Sequence, residues 1–176
     1  MYYGEIKYAD IANGPGVRTS LFVSGCTHHC QNCFNEMTWD FRYGEPFTEE
    51  VENAIIESLK PDYIKGFTIL GGEPMEHSNQ IVLAPFVERV RETFPKKSIW
   101  CYTGYLFDRD LLKESRARCE YTDEMLSLID VIVDGEFELD RKDITLLFRG
   151  SSNQRLIDVK QSLAAGEIVL VDESAL

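Results

Sequence analysis

The stretch TSLFVSGCTHHCQNC, residues 19–33, carries the clearest local signal in the sequence. Its first seven residues are mostly apolar or β-branched and end on glycine, which predicts a buried strand over 19–25. Three cysteines follow at once, Cys26, Cys30 and Cys33, in the spacing C-x-x-x-C-x-x-C. Clustered thiolates bind zinc or an iron–sulfur cluster, so a metal site is predicted where this strand ends.

Strands and helices alternate along the rest of the chain. The predicted strands are 66–72, 98–104 and 130–135, and the predicted helices are 47–60, 78–94 and 121–129. Such alternation is typical of an α/β fold with a mostly parallel sheet. A closed eightfold barrel takes about 250 residues. The shorter chain predicts one domain, spanning 1–176, that forms an open, partial (β/α) barrel.

A distinctive segment follows each predicted strand. The first strand leads into the cysteines, and the others lead into GGEP (71–74), YTG (102–104) and VDGEF (133–137). The carboxyl ends of parallel strands lie at one edge of a sheet, where α/β enzymes place their functional residues. We therefore expect these four segments to line one site.

The chain is acidic, with a formal net charge of −12 at pH 7. Nucleic-acid binders need a basic face to displace counterions, so this charge argues against a nucleic-acid partner. No apolar run approaches the length of a membrane span and no secretory leader is recognisable, which predicts a cytoplasmic protein without a membrane partner. A disulfide framework is not expected, because the cytoplasm is reducing and five cysteines cannot all pair.

Two kinds of metal site remain open for the cysteine cluster. Structural zinc usually has four ligands, and the fourth could come from His28, His29 or Cys101. An iron–sulfur cluster held by only three cysteines leaves one iron free to bind a substrate or cofactor. Cys101 and Cys119 are otherwise expected to be ordinary buried or half-buried residues.

The spacing of Cys26, Cys30 and Cys33 resembles the signature of radical S-adenosylmethionine enzymes. The resemblance implies that the three thiolates hold a four-iron four-sulfur cluster, whose fourth iron binds the amino and carboxylate groups of S-adenosylmethionine. One electron from the reduced cluster then breaks a carbon–sulfur bond of S-adenosylmethionine. The products are methionine and a 5′-deoxyadenosyl radical, which removes hydrogen from the substrate. The three cysteines are thus the predicted metal ligands and the predicted catalytic centre.

The segment GGEP by itself is typical of a turn, because glycine tolerates positive φ and proline fixes the next bend. In the radical S-adenosylmethionine family such a segment cradles the methionine amino group, largely through backbone carbonyls. The resemblance implies that the glutamate adds an acceptor or orders the loop. The candidate cofactor-binding residues here are Gly71, Gly72, Glu73 and Pro74.

Three more candidates follow from the same resemblance. Many family members carry an aromatic residue directly before the third cysteine, near the adenine, whereas this chain has Asn32. Contact with the adenine is then expected from Phe34 or from the backbone near Asn32. Asp134 matches an acid at the end of the fourth strand in related proteins, which implies a place near the cofactor.

Beyond these motifs, residues 6–158 resemble the activating proteins of anaerobic (class III) ribonucleotide reductases. The segments that carry this resemblance are NGPGVRTSLFVSGC (13–26), CFNEMTW (33–39), WCYTGY (100–105) and RGSSNQR (149–155). The resemblance implies that the partner is the large catalytic subunit of the reductase. A glycine in a loop of that subunit would lose its α-hydrogen and store a glycyl radical. It also implies a low-potential electron donor such as flavodoxin.

Two alternatives stay open at this point. The chain could activate another glycyl radical enzyme such as pyruvate formate-lyase, whose activator has an acid where Tyr102 stands and lacks RGSSNQR. It could also be a non-catalytic zinc or iron–sulfur module. The resemblance does not decide whether the polar residues of RGSSNQR contact the cofactor or the partner protein. These residues are Arg149, Asn153, Gln154 and Arg155.

Overall fold

The strand that leads into the cysteines lies third from one edge of a seven-stranded sheet. A computed structural model describes all residues, 1–176. The strands are β1 (Tyr2–Asp10), β2 (Val17–Val23), β3 (Glu45–Pro46), β4 (Ile64–Gly71), β5 (Ser98–Thr103), β6 (Val131–Asp134) and β7 (Arg155–Asp158). The helices are α1 (Glu49–Ser58), α2 (His77–Thr93), α3 (Thr122–Leu128) and α4 (Val159–Ala165). None of the helices is both long and apolar enough to cross a lipid bilayer.

The strand order across the sheet is β3-β1-β2-β4-β5-β6-β7. The four central strands β2, β4, β5 and β6 pair in parallel, which confirms the predicted α/β class and parallel sheet. The outer strands β1, β3 and β7 pair antiparallel and were not predicted. The sequence did not indicate these strands, because β1 is largely solvent-exposed and β7 has only four residues. Neither strand therefore shows a continuous apolar run.

Alternate residues of the parallel strands point to opposite faces of the sheet. One face packs against the helices in the main hydrophobic core, to which β5 contributes Ile99 and Cys101. The opposite face carries Trp100 and Tyr102 of the same strand, with a smaller apolar cluster. Cys101 therefore points toward the helices, on the other face from Tyr102.

A buried arginine ties the amino ends of three parallel strands together. Arg18 is fully buried in β2. Its Nε donates to Thr68 Oγ1 of β4 at 2.7 Å, and its Nη1 donates to Ser98 Oγ of β5 at 2.9 Å. Its Nη2 donates to the carbonyl oxygens of Ser98 and Phe67 at 2.9 and 3.0 Å. Burial lowers the pKa of Arg18 to about 10. Arg18 is thus a structural residue at the end of β2 opposite the cysteines.

Arg18→Lys is expected to lower the free energy of unfolding by about 2–4 kcal/mol, because lysine keeps the charge but lacks the planar fork of donors. Urea denaturation followed by circular dichroism measures the loss. The control Arg109→Lys changes an exposed arginine and is expected to alter stability by less than about 0.5 kcal/mol. A loss below about 1 kcal/mol for Arg18→Lys would contradict the structural role.

Candidate functional site

One cavity lies where the four parallel strands end. Its walls are the three cysteines after β2, residues 71–73 after β4, residues 102–104 of β5 and its loop, and residues 135–137 after β6. Phe34 and Trp39, from the segment that follows the cysteines, also line it, together with His28, Leu70 and Gln154. The predicted meeting of four strand ends at one edge of the sheet is thus confirmed.

A glycine turn brings the cysteine loop onto this edge. Gly25 has a φ of +97°, in the region that favours glycine, and it reverses the chain directly after β2. Its N–H donates to Thr38 O at 2.7 Å, and the N–H of Cys26 donates to Trp39 O at 3.3 Å. The carbonyl of Gly25 accepts from the N–H of Glu73 at 2.8 Å. The loop that carries the cysteines is therefore fastened to the segment 38–39 and to the GGEP loop.

The three thiols have the chemistry of metal ligands, and burial favours the protonated form of two of them, Cys26 and Cys30, in the absence of a cation. Cys26 is buried, and Cys30 and Cys33 are partly exposed. Burial, with a smaller effect from nearby Glu73, raises the pKa of the Cys26 thiol to about 12. Burial also raises the pKa of Cys30 to about 11, with Glu136 adding to the effect. Bound iron would supply the positive charge that stabilises the thiolates.

The arrangement of the donors fits a cluster better than a single ion. No three side chains of histidine, cysteine, aspartate or glutamate converge as the ligands of one metal ion would. A tetrahedral zinc site requires such convergence. A four-iron cluster accepts each thiolate at a different iron, so its ligands are spread around it. Cys101 is excluded as a fourth ligand because it lies on the helix-facing side of β5.

Glu73 of GGEP holds three of the rim segments together. Its side chain is 1% exposed. One carboxylate oxygen accepts from Met75 N and Thr103 Oγ1, each at 2.8 Å. The other accepts from Gly104 N at 2.8 Å and bonds to His28 Nε2 at 3.0 Å. With four partners inside the protein, Glu73 orders the loops rather than facing a ligand.

His28 joins the cysteine loop to two acids. Its Nε2 meets Glu73, and its Nδ1 lies 2.6 Å from Glu136 Oε1 in the segment after β6. Burial disfavours the protonated ring, but the hydrogen bonds and charges of the two carboxylates outweigh it and raise the pKa of His28. The protonated form of His28 is therefore favoured by its position between the two carboxylates. The sequence indicated His28 only as a candidate fourth ligand of a zinc site.

The two glycines of GGEP allow the loop to approach the chain after β2. Gly71 has a φ of +108°, and a Cβ there would lie 2.7 Å from backbone atoms of Phe22 and Val23. A Cβ on Gly72 would lie 2.6 Å from the carbonyl oxygen of Gly25. Neither position has space for a side chain, so the backbone of these two glycines lies unshielded beside the cysteine loop. Pro74 is buried and does not line the cavity.

Comparison with known proteins places the chain in a family. A family model described as a 4Fe-4S single cluster domain matches residues 12–157, which include all three cysteines. The anaerobic ribonucleoside-triphosphate reductase-activating protein of Pasteurella multocida is 44% identical over 156 residues, covering 88% of this chain and 95% of that protein. The Escherichia coli K12 protein of the same name is 42% identical, with 88% and 96% coverage. The Enterobacteria phage T4 protein is 40% identical over 158 residues, with 89% and 93% coverage.

The chain belongs to the family of anaerobic ribonucleoside-triphosphate reductase-activating proteins. The resemblance found in the sequence is thus confirmed. The match to a 4Fe-4S domain favours an iron–sulfur cluster over zinc.

Three residues that the resemblance assigned to the cofactor lie in different surroundings. Phe34 is 83% exposed and lines both the cavity and an adjoining cleft. Asn32 lines only the cleft. Asp134 is fully buried outside the cavity, where Oδ1 accepts from Arg155 Nε at 2.9 Å and Oδ2 from Phe107 N at 2.8 Å. Because both oxygens of Asp134 are engaged within the protein, its carboxylate holds loops together and is not free for a ligand.

Two polar donors of the cavity were not predicted from the sequence. Trp39 Nε1 and Tyr102 OH are buried and have no hydrogen-bond partner within the protein. Both residues line the cavity with the cysteines. Burial raises the pKa of Tyr102, so its phenol stays a neutral donor. The segments CFNEMTW and WCYTGY contained these residues, but nothing in their spacing indicated where the N–H and O–H groups would point.

Proposed function

We propose that this chain activates anaerobic ribonucleotide reductase as a radical S-adenosylmethionine enzyme. The bound cluster would supply one electron that cleaves S-adenosylmethionine, and the 5′-deoxyadenosyl radical so formed would take the α-hydrogen of a reductase glycine. The observation that carries the proposal is the single cavity at the carboxyl edge of the sheet, which three free thiols and the glycines of GGEP line together. The names of the relatives supply the class of partner.

The residues of this chain would bind and orient the reacting groups. Cys26, Cys30 and Cys33 would hold three irons and leave the fourth without a protein ligand. The backbone at Gly71 and Gly72 would receive the amino group of S-adenosylmethionine, because bare backbone offers carbonyl acceptors at close range. The buried network of Glu73 and its partners would keep these two loops at a fixed separation.

The partner protein, the electron donor and the cellular compartment follow from the same proposal. We infer that a glycine-bearing loop of the large catalytic subunit enters the cavity, and that the chain forms one domain of partial-barrel type. A low-potential donor such as flavodoxin would reduce the cluster. The cytoplasm is the expected compartment. It is reducing, and all five cysteines of the chain are free thiols, which is consistent with a reducing compartment.

Anaerobic reconstitution with iron and sulfide tests the proposed function. We expect broad visible absorption, an EPR signal that changes when S-adenosylmethionine is added, and formation of 5′-deoxyadenosine. Addition of the anaerobic reductase should then produce a glycyl radical signal. A colourless protein with stoichiometric zinc would refute the proposal, and a glycyl radical formed only on another enzyme would assign a different partner.

Phe34→Ala is expected to raise the KM for S-adenosylmethionine about fivefold to hundredfold, because stacking of a base on an aromatic ring contributes about 1–3 kcal/mol. Formation of 5′-deoxyadenosine at varied S-adenosylmethionine concentrations measures the change. The control is Met37→Ala, since Met37 is 63% exposed on the same segment but lines neither the cavity nor the adjoining cleft. An equal KM in the two variants would show that Phe34 does not contact the adenine.

A further inference from the structure

A larger cleft of about 650 Å³ adjoins the cysteine cavity. The two share wall residues, among them Phe34, Tyr102 and Phe137, so they form one continuous depression. No cysteine and no residue of GGEP lines the cleft. Whatever occupies the cleft therefore lies beside the reacting centre and not on it.

The cleft has an exposed apolar wall. Ile144 is 89% exposed and Phe34 is 83% exposed, and Leu139 on the same wall is also exposed. Large apolar side chains that surround a depression and face solvent are typical of an interaction surface. The segment 142–150, which supplies much of this wall, contains no helix or strand of the fold.

One cation in the cleft has two nitrogens without a hydrogen-bond partner. The side chain of Arg149 is 13% exposed, and its Nη2 donates to Glu173 Oε1 at 2.8 Å. Its Nε and Nη1 are buried without any hydrogen-bond acceptor in the protein. A buried, charged donor without an acceptor costs folding free energy, so these N–H groups are suited to a ligand that brings an oxygen anion.

The formal charges around the cleft balance. Lys142 and Arg149 are the cations of its wall, Asp143 is its one carboxylate, and Glu173 is paired with Arg149. In a chain with a net charge of −12, the cleft therefore lacks the net negative charge that the chain carries elsewhere, and the two free N–H groups of Arg149 remain its donors for an oxygen anion.

We propose that Arg149 receives a carboxylate carried by the glycine-bearing segment of the reductase as that segment lies across the apolar cleft. This inference rests on the proposed function and adds a docking contact to it. The carboxylate of S-adenosylmethionine is a poorer candidate for Arg149. The proposed mechanism places that group at the open iron, in the cavity that the cysteines line and Arg149 does not.

Arg149→Gln tests the contact with the reconstituted protein and the intact reductase. We expect the dissociation constant for the reductase, measured anaerobically by biolayer interferometry, to rise about tenfold or more. The cluster EPR signal should still change when S-adenosylmethionine is added. The control Arg141→Gln removes the same charge from an exposed site outside the cleft and should leave the dissociation constant unchanged.

Two results would overturn the inference. Loss of the EPR response to S-adenosylmethionine in Arg149→Gln would assign Arg149 to the cofactor, and an unchanged dissociation constant would make it purely structural. Failure of the proposed function is a separate outcome, because the unmodified protein would then neither assemble a cluster nor form 5′-deoxyadenosine.

A second pair of variants avoids any effect of Arg149 on folding. Ile144 is exposed on the cleft wall, so Ile144→Asp and Ile144→Asn are both expected to fold. The aspartate should repel an acidic segment of the reductase. The dissociation constant for the reductase should therefore rise about threefold more for Ile144→Asp than for Ile144→Asn. Equal dissociation constants for the two variants would contradict docking of a carboxylate in this cleft.

Discussion

Replacement of Cys26, Cys30 or Cys33 with alanine is expected to abolish assembly of the iron–sulfur cluster. Each thiolate would hold a different iron. No other cysteine lines the cavity, and both ring nitrogens of His28, the one imidazole that does, are bonded to Glu73 and Glu136. A cluster with two uncovered irons would not persist in a cavity open to solvent. Iron and sulfide analysis after anaerobic reconstitution, together with visible absorption, measures the loss.

Cys101→Ala and Cys119→Ala serve as matched controls and are expected to assemble the cluster normally. Cys101 lies in the core on the helix-facing side of β5. The Sγ of Cys119 lies 3.4 Å from Gln80 Oε1, and Cys119 does not line the cavity. Loss of the cluster in Cys101→Ala, or a full complement of iron in Cys30→Ala, would contradict the three-cysteine site.

Glu73→Ala is expected to lower the free energy of unfolding of the metal-free protein by about 3–5 kcal/mol. The change leaves the N–H groups of Met75 and Gly104 buried without their acceptor and leaves His28 with only Glu136. The same loops carry the cysteines and the glycines of GGEP, so cluster assembly should also become less efficient. Urea denaturation gives the change in stability, and iron content after reconstitution gives the second effect.

Glu136→Ala is the control for this prediction, since Glu136 also bonds to His28 but its side chain is 50% exposed. A partly exposed ion pair contributes about 0–1 kcal/mol, so the expected loss is several times smaller. The loss of unfolding free energy in Glu73→Gln should lie between the losses in Glu73→Ala and Glu136→Ala, because glutamine keeps one acceptor oxygen and replaces the other with a donor. If Glu73→Ala and Glu136→Ala destabilised the protein equally, burial of Glu73 would not be the source of its effect.

The parallel centre of the sheet could be predicted from sequence because each of its strands contains a short run rich in apolar and β-branched residues. β2 and β4 are buried on both faces, so their residues need no alternation of polar and apolar types. The antiparallel edge strands could not be predicted in the same way. The exposure of β1 varies along its length, and its pairing with β2 depends on register between distant residues, which no local pattern encodes.

The cysteine spacing and GGEP by themselves located the cavity, since both follow strands whose carboxyl ends share one edge of the sheet. Only the tertiary structure decided how the polar residues around that cavity are used. Glu73 proved to be a buried link between loops, and Asp134 proved to be bonded to Arg155 outside the cavity. A hydrogen bond between residues far apart in the chain depends on where two strands bring their side chains, whereas a metal-binding spacing lies within one loop. For that reason the sequence determined where the thiols cluster, and the packing of the sheet determined which of their neighbours remain free for a ligand.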